Sequence, residues 1–362
     1  MENLLVNKVA AVKEVRQAAE YQKKKQACIL TGLAGSSKPV FFAAADKLLG
    51  GKGSMAFVTA SREEIRTYRR ELNYLYPDLP MQELYPVSLP RVQADTQSLE
   101  LQAGRAAALR FLSGEERGIV FITAEALQQK QLRPSGMSGK ALQLAVGEEH
   151  EQRNIAAALL DLGYERTEQV DALGQFCLRG DILDVYPINS SAAVRIEWFD
   201  NELDAMRSFD VDTQRSLQTL TSIKIAPLKV DESFSYDADI FEYCAADTMV
   251  VVDEPVHVFS MLEKLDKENK EHASELFGKQ ELIEQLAANG AVLVSALGHS
   301  YLQQLPSLNI PVRAVAPYNK NTNLLVEDLQ NWLAEGITPL IMLSSSIKAR
   351  GFADNLRNYG LK

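Results

Sequence analysis

The sequence has little of what most metal, redox and membrane proteins need. Its three cysteines, Cys28, Cys177 and Cys244, lie far apart in 362 residues with no CxxC pair. That spacing suits neither a disulfide framework nor a zinc site, and implies thiols kept reduced in a cytosol. The four histidines, His150, His257, His272 and His299, are equally dispersed, with no second ligand at i+3 or i+4, so metal ligation is not expected. The longest apolar runs are strand-sized, and the N-terminal MENLLVNKVAAVKEVRQ is charged throughout. Neither a membrane span nor a secretory signal is predicted, and a cytoplasmic location is expected. Positive charge is also short: 38 Lys and Arg against 48 Asp and Glu give a net charge of -10. Broad non-specific binding of nucleic acid is disfavoured, because it needs clustered cations to release phosphate counterions, although a local basic patch is compatible with this balance.

What is present is an ordinary globular composition, 46% hydrophobic and 24% charged. The length suggests about two to three domains. Residues 1 to 26 place Leu4, Leu5, Val9, Val12 and Val15 at helical spacing, as one amphipathic helix would. Cys28-Ile29-Leu30 reads as a buried strand that runs through a glycine turn into a helix carrying Phe41, Phe42, Ala45 and Leu48. Ala56-Phe57-Val58 is the next strand, and Ser61 with Glu64 forms a capping box for a helix through Ile65, Tyr68 and Leu72. The proline-punctuated stretch from Asp78 to Arg91 reads as extended chain. A helix over Ser98–Leu112 and a strand over Gly118–Thr123 follow. This alternation predicts a parallel sheet with crossover helices over residues 1–128.

The rhythm is then lost. Gln131–Gly139 reads as a linker, followed by a strand at Ala141–Val146, a helix over His150–Leu162, and a stretch of β-branched and aromatic runs from Gly174 to Leu217. In that stretch Phe176, Leu178, Ile182, Val185, Val194, Ile196, Trp198 and Phe199 are separated by polar turns, which predicts a small antiparallel meander. Asp200-Asn201-Glu202 reads as a tight hairpin with Asn201 as its left-handed residue. Arg179 interrupts an apolar strand, and Arg195 and Glu197 alternate with Val194, Ile196 and Trp198, so one sheet face is charged. Such a face is either a solvated surface with charges paired across strands or a recognition surface. Strands expected at Ile223–Ile225, Met249–Val252, Ala291–Val294 and Val312–Val315, with helices over Val258–Lys267 and Lys279–Asn289, restore the parallel pattern. A helix over Leu324–Glu335, a strand over Pro339–Leu343 and a helix over Ile347–Tyr359 then open a further α/β unit. The chain stops before that unit could close a sheet, as a piece of a longer protein would. The expected division is an α/β domain from residues 1–128 and 222–317, an inserted α+β domain over 129–221, and a linker with an incomplete α/β unit over 318–362.

One loop carries the outline of phosphate chemistry without its substance. A P-loop, G-x-x-x-x-G-K-[ST], wraps phosphates with backbone amides and holds Mg²⁺ with its last hydroxyl. In Gly32-Leu-Ala-Gly35-Ser-Ser37-Lys38-Pro39, Ser37 replaces the second glycine of that pattern and Pro39 replaces Ser or Thr. Pro39 removes both a backbone donor and the metal ligand. Met249–Val252 followed by Asp253 and Glu254 has the layout of a Walker B element, the acids that hold Mg²⁺ in such enzymes. With the loop degenerate, the acids read as a remnant and no cofactor is expected here. Asp181 and Asp184, three apart in a strand, fall on opposite faces and make no catalytic pair.

The run Gln175-Phe-Cys-Leu-Arg179-Gly180-Asp-Ile-Leu-Asp184-Val-Tyr186-Pro187, with Val194-Arg195-Ile-Glu197-Trp-Phe-Asp200 and Phe209-Asp-Val-Asp-Thr-Gln214-Arg215-Ser, closely resembles the module shared by UvrB and the transcription-repair coupling factor family, Mfd. A weaker resemblance extends over residues 1 to 317. The degenerate loop, and the lack of aromatics in Ala124–Gln131 where UvrB-type clamping of damaged DNA would want them, bring the chain nearer to Mfd. The resemblance implies a degenerate, RecA-like P-loop NTPase fold with an inserted UvrA-binding domain. It also implies a non-catalytic N-terminal module that recruits nucleotide excision repair to stalled RNA polymerase. RNA polymerase, DNA, ATP and Mg²⁺ would then belong to the rest of an ATP-dependent translocase, and an intramolecular contact with that motor could mask the module. Two alternatives are a UvrB-like damage-binding ATPase subunit and an autoinhibitory clamp. The family's contact arginines fall on Arg166 and Arg179. Cys177 stands where UvrB has a further arginine. Phe176 and Leu183 are apolar neighbours that suit either the contact or the core, and Arg195 suits either the contact or an acid across the sheet.

Overall fold

The structure is a computed structural model that describes residues 4–89, 99–134, 141–228, 236–296 and 304–361, apart from 313, 314, 316, 320, 342 and 344. The long apolar runs become strands buried on both faces: β1 (Cys28–Thr31), β2 (Met55–Thr59), β3 (Met81–Leu84) and β4 (Ile119–Thr123). Two short strands follow, β5 (Gln131–Leu132) and β6 (Leu142–Ala145). A second group comprises β7 (Glu165–Arg166), β8 (Gln175–Arg179), β9 (Ile182–Val185), β10 (Ala193–Phe199), β11 (Glu202–Phe209) and β12 (Ser216–Leu220). Last come β13 (Ser222–Ile225), β14 (Tyr236–Ala238), β15 (Met249–Asp253), β16 (Val292–Ser295) and β17 (Ser307–Asn309).

The larger sheet has seven parallel strands in the order β17-β1-β16-β15-β2-β4-β3. Strands from before and after the antiparallel stretch therefore interleave, and the second sheet is inserted into the first, as the α/β reading with an inserted antiparallel unit expects. Alternate side chains of these strands feed two cores, one on each face. Phe57, Phe121, Val251 and Val294 pack with Phe41, Phe42, Ile65 and Leu72. Val58, Ile122, Val252 and Leu293 pack with Phe111, Leu112, Val258 and Leu282 on the other side. A parallel sheet covered by helices on both faces needs such continuous apolar strands. The capping box expected at Ser61 is formed, with the Ser61 N–H donating to Glu64 Oε2 at 3.1 Å.

The second sheet runs β12-β11-β10-β9-β8-β7, antiparallel except for the short parallel pair β7 with β8. Its inner face holds Phe176, Leu183, Val185, Val194, Ile196, Trp198, Leu203 and Met206, covered by Ile155 and Leu159 of the helix Gln152–Asp161.

Several expectations are corrected. The N-terminal helix is two helices, Leu4–Ala10 and Lys13–Lys23, because Val12 takes an extended backbone between them. The stretch from Asp78 contributes an edge strand, β3, to the parallel sheet. Gln131 and Leu132 pair with β14 instead of beginning a linker, and 135–140 lie outside the described residues. Ile223–Ile225 does not return to the parallel sheet: β13 pairs antiparallel with β6, and Ile225 and Leu144 are buried in the inserted unit's core, which carries that unit past residue 221. The last parallel strand is β17, just before the expected Val312–Val315, of which 313 and 314 are not described. No strand forms among the described residues of Pro339–Leu343, since no partner strand is available there to accept its backbone hydrogen bonds. The left-handed residue of the hairpin after Phe199 is Asp200, with φ 56°, and not Asn201. Arg179 ends a strand instead of interrupting one: it is the last residue of β8, and Gly180 and Asp181 make a two-residue turn to β9, with Arg179 paired to Ile182 and Gly180 at φ 57°. Glycine at the first central position is what such a turn favours.

Phe176 is 0% exposed. Phe176→Ala is therefore expected to cost about 3–5 kcal/mol, as emptying a buried aromatic site does. Urea denaturation checks it, and an unchanged midpoint would mean that Phe176 is not core.

Candidate functional site

Two places gather the side chains singled out above. The first is the C-terminal edge of the parallel sheet, where the turn after β1 meets the end of β15. Gly32 has φ 86°, and a Cβ there would stand 2.7 Å from the Ile310 carbonyl oxygen, so only glycine fits under the chain leaving β17. Several of the loop's polar groups bond within the loop, while Ser36 Oγ donates to Glu71 Oε1 at 2.8 Å. Ser37 Oγ accepts the Ala34 N–H at 2.9 Å and donates to the Ala34 carbonyl at 2.7 Å, while the N–H groups of Ser37 and Lys38 donate to the carbonyls of Ala34 and Gly35. Pro39 has no N–H and lies in the first turn of the helix Ser37–Leu48, where proline is tolerated. These amides face inward, whereas a P-loop aims them at phosphate.

Lys38 reaches the two acids. Its Nζ lies 2.6 Å from Asp253 Oδ1 and 2.9 Å from Glu254 Oε1, and both Lys38 and Asp253 are buried. Burial opposes the ammonium charge, but Asp253 and Glu254 outweigh it, so Lys38 titrates above the ordinary lysine value. Glu254 has a left-handed backbone, φ 42° and ψ 68°, an uncommon conformation for a residue with a Cβ. So placed, its carboxylate also accepts the Ala296 N–H at 3.1 Å. The Tyr68 hydroxyl is buried against this cluster, and desolvation together with the Asp253 charge pushes its pKa well above the usual tyrosine range. Nothing in the local pattern marks Tyr68, which looks like any apolar position of an amphipathic helix. The carboxylates that would hold Mg²⁺ in a Walker B element are held here by a lysine of the same chain.

The second place is the outer face of the six-stranded sheet, whose organising residue is Asp184. It is 1% exposed, and its carboxylate accepts a bidentate pair from Arg195 at 2.6 and 2.8 Å and a further bond from Arg179 at 3.2 Å. Arg195 also donates to Gln214 Oε1 at 3.0 Å, and its guanidinium stacks 4.6 Å from the Phe209 ring centroid. The reading of Arg195 as the partner of an acid across the sheet is the one realised. Arg207 is closed on Glu197 at 2.5 Å. Arg179, with its side chain 55% exposed, makes only the Asp184 contact among the described residues.

The four expected contact residues do not share a surface. Phe176 and Leu183, 0% and 1% exposed, point into the inner core, so neither can touch a partner while the sheet is folded. Arg166 is exposed on the edge strand, but β7 pairs it with Phe176, so the pleat aims it to the side opposite Arg179. Cys177 is buried, its Sγ 3.0 Å from the Glu168 carbonyl, and leaves no cation at that point of the face. Among the described residues no cluster of His, Cys, Asp and Glu could hold a metal ion, and no helix is long and apolar enough to cross a membrane.

Residues 142–230 match the family described as the UvrB interaction domain, which is the inserted sheet unit together with β13. The chain is 36% identical over 203 residues to the transcription-repair-coupling factor of Bacillus subtilis, covering 56% of this chain and 17% of that protein. The chain is similar to the Mfd family. Its Escherichia coli member is 28% identical over 165 residues, 46% of this chain and 14% of its own length, and that of Staphylococcus haemolyticus 31% over 202 residues, 55% and 17%. The chain thus spans about a sixth of the length of these Mfd proteins.

Lys38→Met would leave two adjacent carboxylates without their cation, and breaking a buried pair in this way costs about 3–5 kcal/mol. We expect that loss in urea denaturation at pH 7. The sign of the pH dependence follows from a lysine pKa raised above its ordinary 10.5. The stability due to Lys38 is complete below that value and is lost as pH rises through the folded-state pKa. The variant should therefore lack this alkaline loss, and matching alkaline profiles for the two proteins would exclude the pairing.

Proposed function

We propose that this chain is a non-catalytic module of a transcription-repair-coupling factor that binds UvrA through its UvrB interaction domain and so recruits nucleotide excision repair to a stalled RNA polymerase. The observation that carries the reading is the match of residues 142–230 to that domain, on a sheet whose exposed Arg179 has donors to spare. Arginine suits the task because its planar fork makes paired hydrogen bonds to carboxylates and it is weakly hydrated. In this reading ATP-driven translocation and contacts with RNA polymerase and DNA belong to the remainder of the full-length family protein, which acts in the cytoplasm. The Lys38 cluster favours this over a UvrB-like ATPase, since the acids needed for Mg²⁺ already have a counter-ion and the amides of Ala34, Ser37 and Lys38 are bonded within the loop.

Calorimetric titration with purified UvrA tests the reading. Arg179→Ala is expected to weaken binding by about 1–3 kcal/mol, as loss of an interface anchor does. The fold should be preserved, because the bidentate pair from Arg195 still neutralises the buried Asp184 and Arg179 itself is half-exposed. Arg166→Glu should weaken binding by a similar amount if UvrA also wraps the edge strand. Full affinity in the folded Arg179→Ala protein would remove this face from the reading, and titration with ATP and Mg²⁺ should give no heat of binding.

A further inference from the structure

With 48 acidic side chains against 38 basic ones, this chain could give every cation a partner. The helix Arg62–Leu75, between β2 and β3, holds three arginines without one. Arg66, Arg69 and Arg70 are exposed and make no ion pair among the described residues. Arg62, one turn before Arg66, is committed to Glu83 and stacks 4.8 Å from the Tyr85 ring centroid. Arg69 lies 5.6 Å from the centroid of the Phe121 ring, a contact that leaves its charge unanswered. The acids of the helix do not answer it either. Glu64 accepts the Ala60 and Ser61 N–H groups, and Glu71 accepts the Ser36 hydroxyl. Glu63, exposed three residues before Arg66, forms no ion pair among the described residues.

The spacing makes these arginines a stripe. Arg66, Arg69, Arg70 and Asn73 stand at i, i+3, i+4 and i+7, one face of the helix over about 10 Å of its length. Ile65, Tyr68 and Leu72 bury the adjoining face, so the stripe sits on a rigid element. Arg66 is one turn from Arg62 and one turn from Arg70, and like charges at that spacing destabilise a helix. A row of cations kept against that cost suits an anionic ligand. Tyr74, 74% exposed and one turn past Arg70, is the one large apolar side chain left bare on this helix. Arg, Asn and Tyr are all side chains that contact nucleic-acid phosphate and sugar. A protein partner calls for an apolar centre to its interface, which Tyr74 alone does not supply. A single strand calls for several aromatics on which successive bases stack. The backbone of a duplex requires neither.

We propose that Arg66, Arg69 and Arg70, with Asn73 and Tyr74 at the end of the stripe, bind the phosphate backbone of a nucleic-acid duplex without reading its sequence. The guanidinium N–H groups take phosphate oxygens and release their counterions. The site lies on the parallel-sheet unit, so it is independent of the UvrA reading of residues 142–230 and of the degenerate phosphate loop. It makes the chain a weak nucleic-acid binder in its own right, despite a net charge of -10.

Fluorescence anisotropy with a labelled short DNA duplex, between about 50 and 200 mM salt, tests the proposal. Three phosphate contacts give log K against log salt a slope of about -2.7. Arg66→Gln/Arg70→Gln should bind at least about tenfold more weakly at the lower salt, with the slope reduced to about -0.9. Glutamine is as good a helix former and the change removes like-charge neighbours, so the melting temperature should hold or rise. The control, Arg153→Gln/Arg350→Gln, removes the same charge from other exposed sites and should bind as the unsubstituted chain does. A folded chain that does not bind the duplex at the lower salt would overturn the proposal, as would a stripe variant that keeps both affinity and slope. An equal loss in the control would also overturn it, by making the effect one of net charge. Tighter binding of single-stranded DNA or of poly-glutamate than of the duplex would overturn it in favour of that ligand.

Discussion

A charge taken out of water must be paired, and two such pairings hold this protein's two sheets in their present form. Asp253 and Glu254 end β15, and Lys38 begins the helix after β1; the three come from chain segments more than 200 residues apart. Neither the acids nor the ammonium could be buried alone, because the desolvation of an unpaired ion costs several kcal/mol. Pairing them fixes the turn after β1 against the end of β15, although β16 lies between those strands. Asp184 plays the corresponding part in the second sheet, where it joins β9 to Arg195 of β10 and Arg179 of β8.

The first pairing bears on chemistry. A nucleotide site works by leaving amides and a lysine free for phosphate, and carboxylates free for Mg²⁺. Here the amides of Ser37 and Lys38 are turned into the loop's own carbonyls, and the lysine and the acids have found each other. The left-handed backbone of Glu254 belongs to the same arrangement, since it brings the carboxylate to both Lys38 and the Ala296 amide. The second pairing bears on recognition. By consuming Arg195, Asp184 leaves Arg179 with a single bond and a half-exposed side chain at the turn between β8 and β9.

The strands, the helices flanking them and the insertion of one sheet into another were legible in the sequence, because burial on both faces demands continuous apolar runs and one-sided burial demands alternation. Cys28–Leu30, Ala56–Val58 and Val194–Trp198 carry those patterns without ambiguity. The broken P-loop was legible too, since Pro39 has no N–H whatever the fold around it. Short segments were harder: β3, β5 and β17 have two to four residues, and their state is decided by a partner strand distant in the chain. Ile223–Ile225 follows the rhythm expected of the parallel sheet, yet it pairs with β6, and local pattern cannot name a partner.

The sequence by itself therefore determined the architecture, the loss of the phosphate loop and the family to which the chain is similar, all of which depend on residue type at fixed local spacing. Tertiary structure alone decided which side of each sheet a residue faces and which charges meet. A strand's side chains alternate, so one misplaced turn exchanges core for surface. The Gly180-Asp181 turn put Phe176 and Leu183 inside and left Ile182 and Phe199 in solvent. Ion pairing depends in the same way on contacts between distant segments, and only the folded chain brings Lys38 to Asp253 and Arg195 to Asp184.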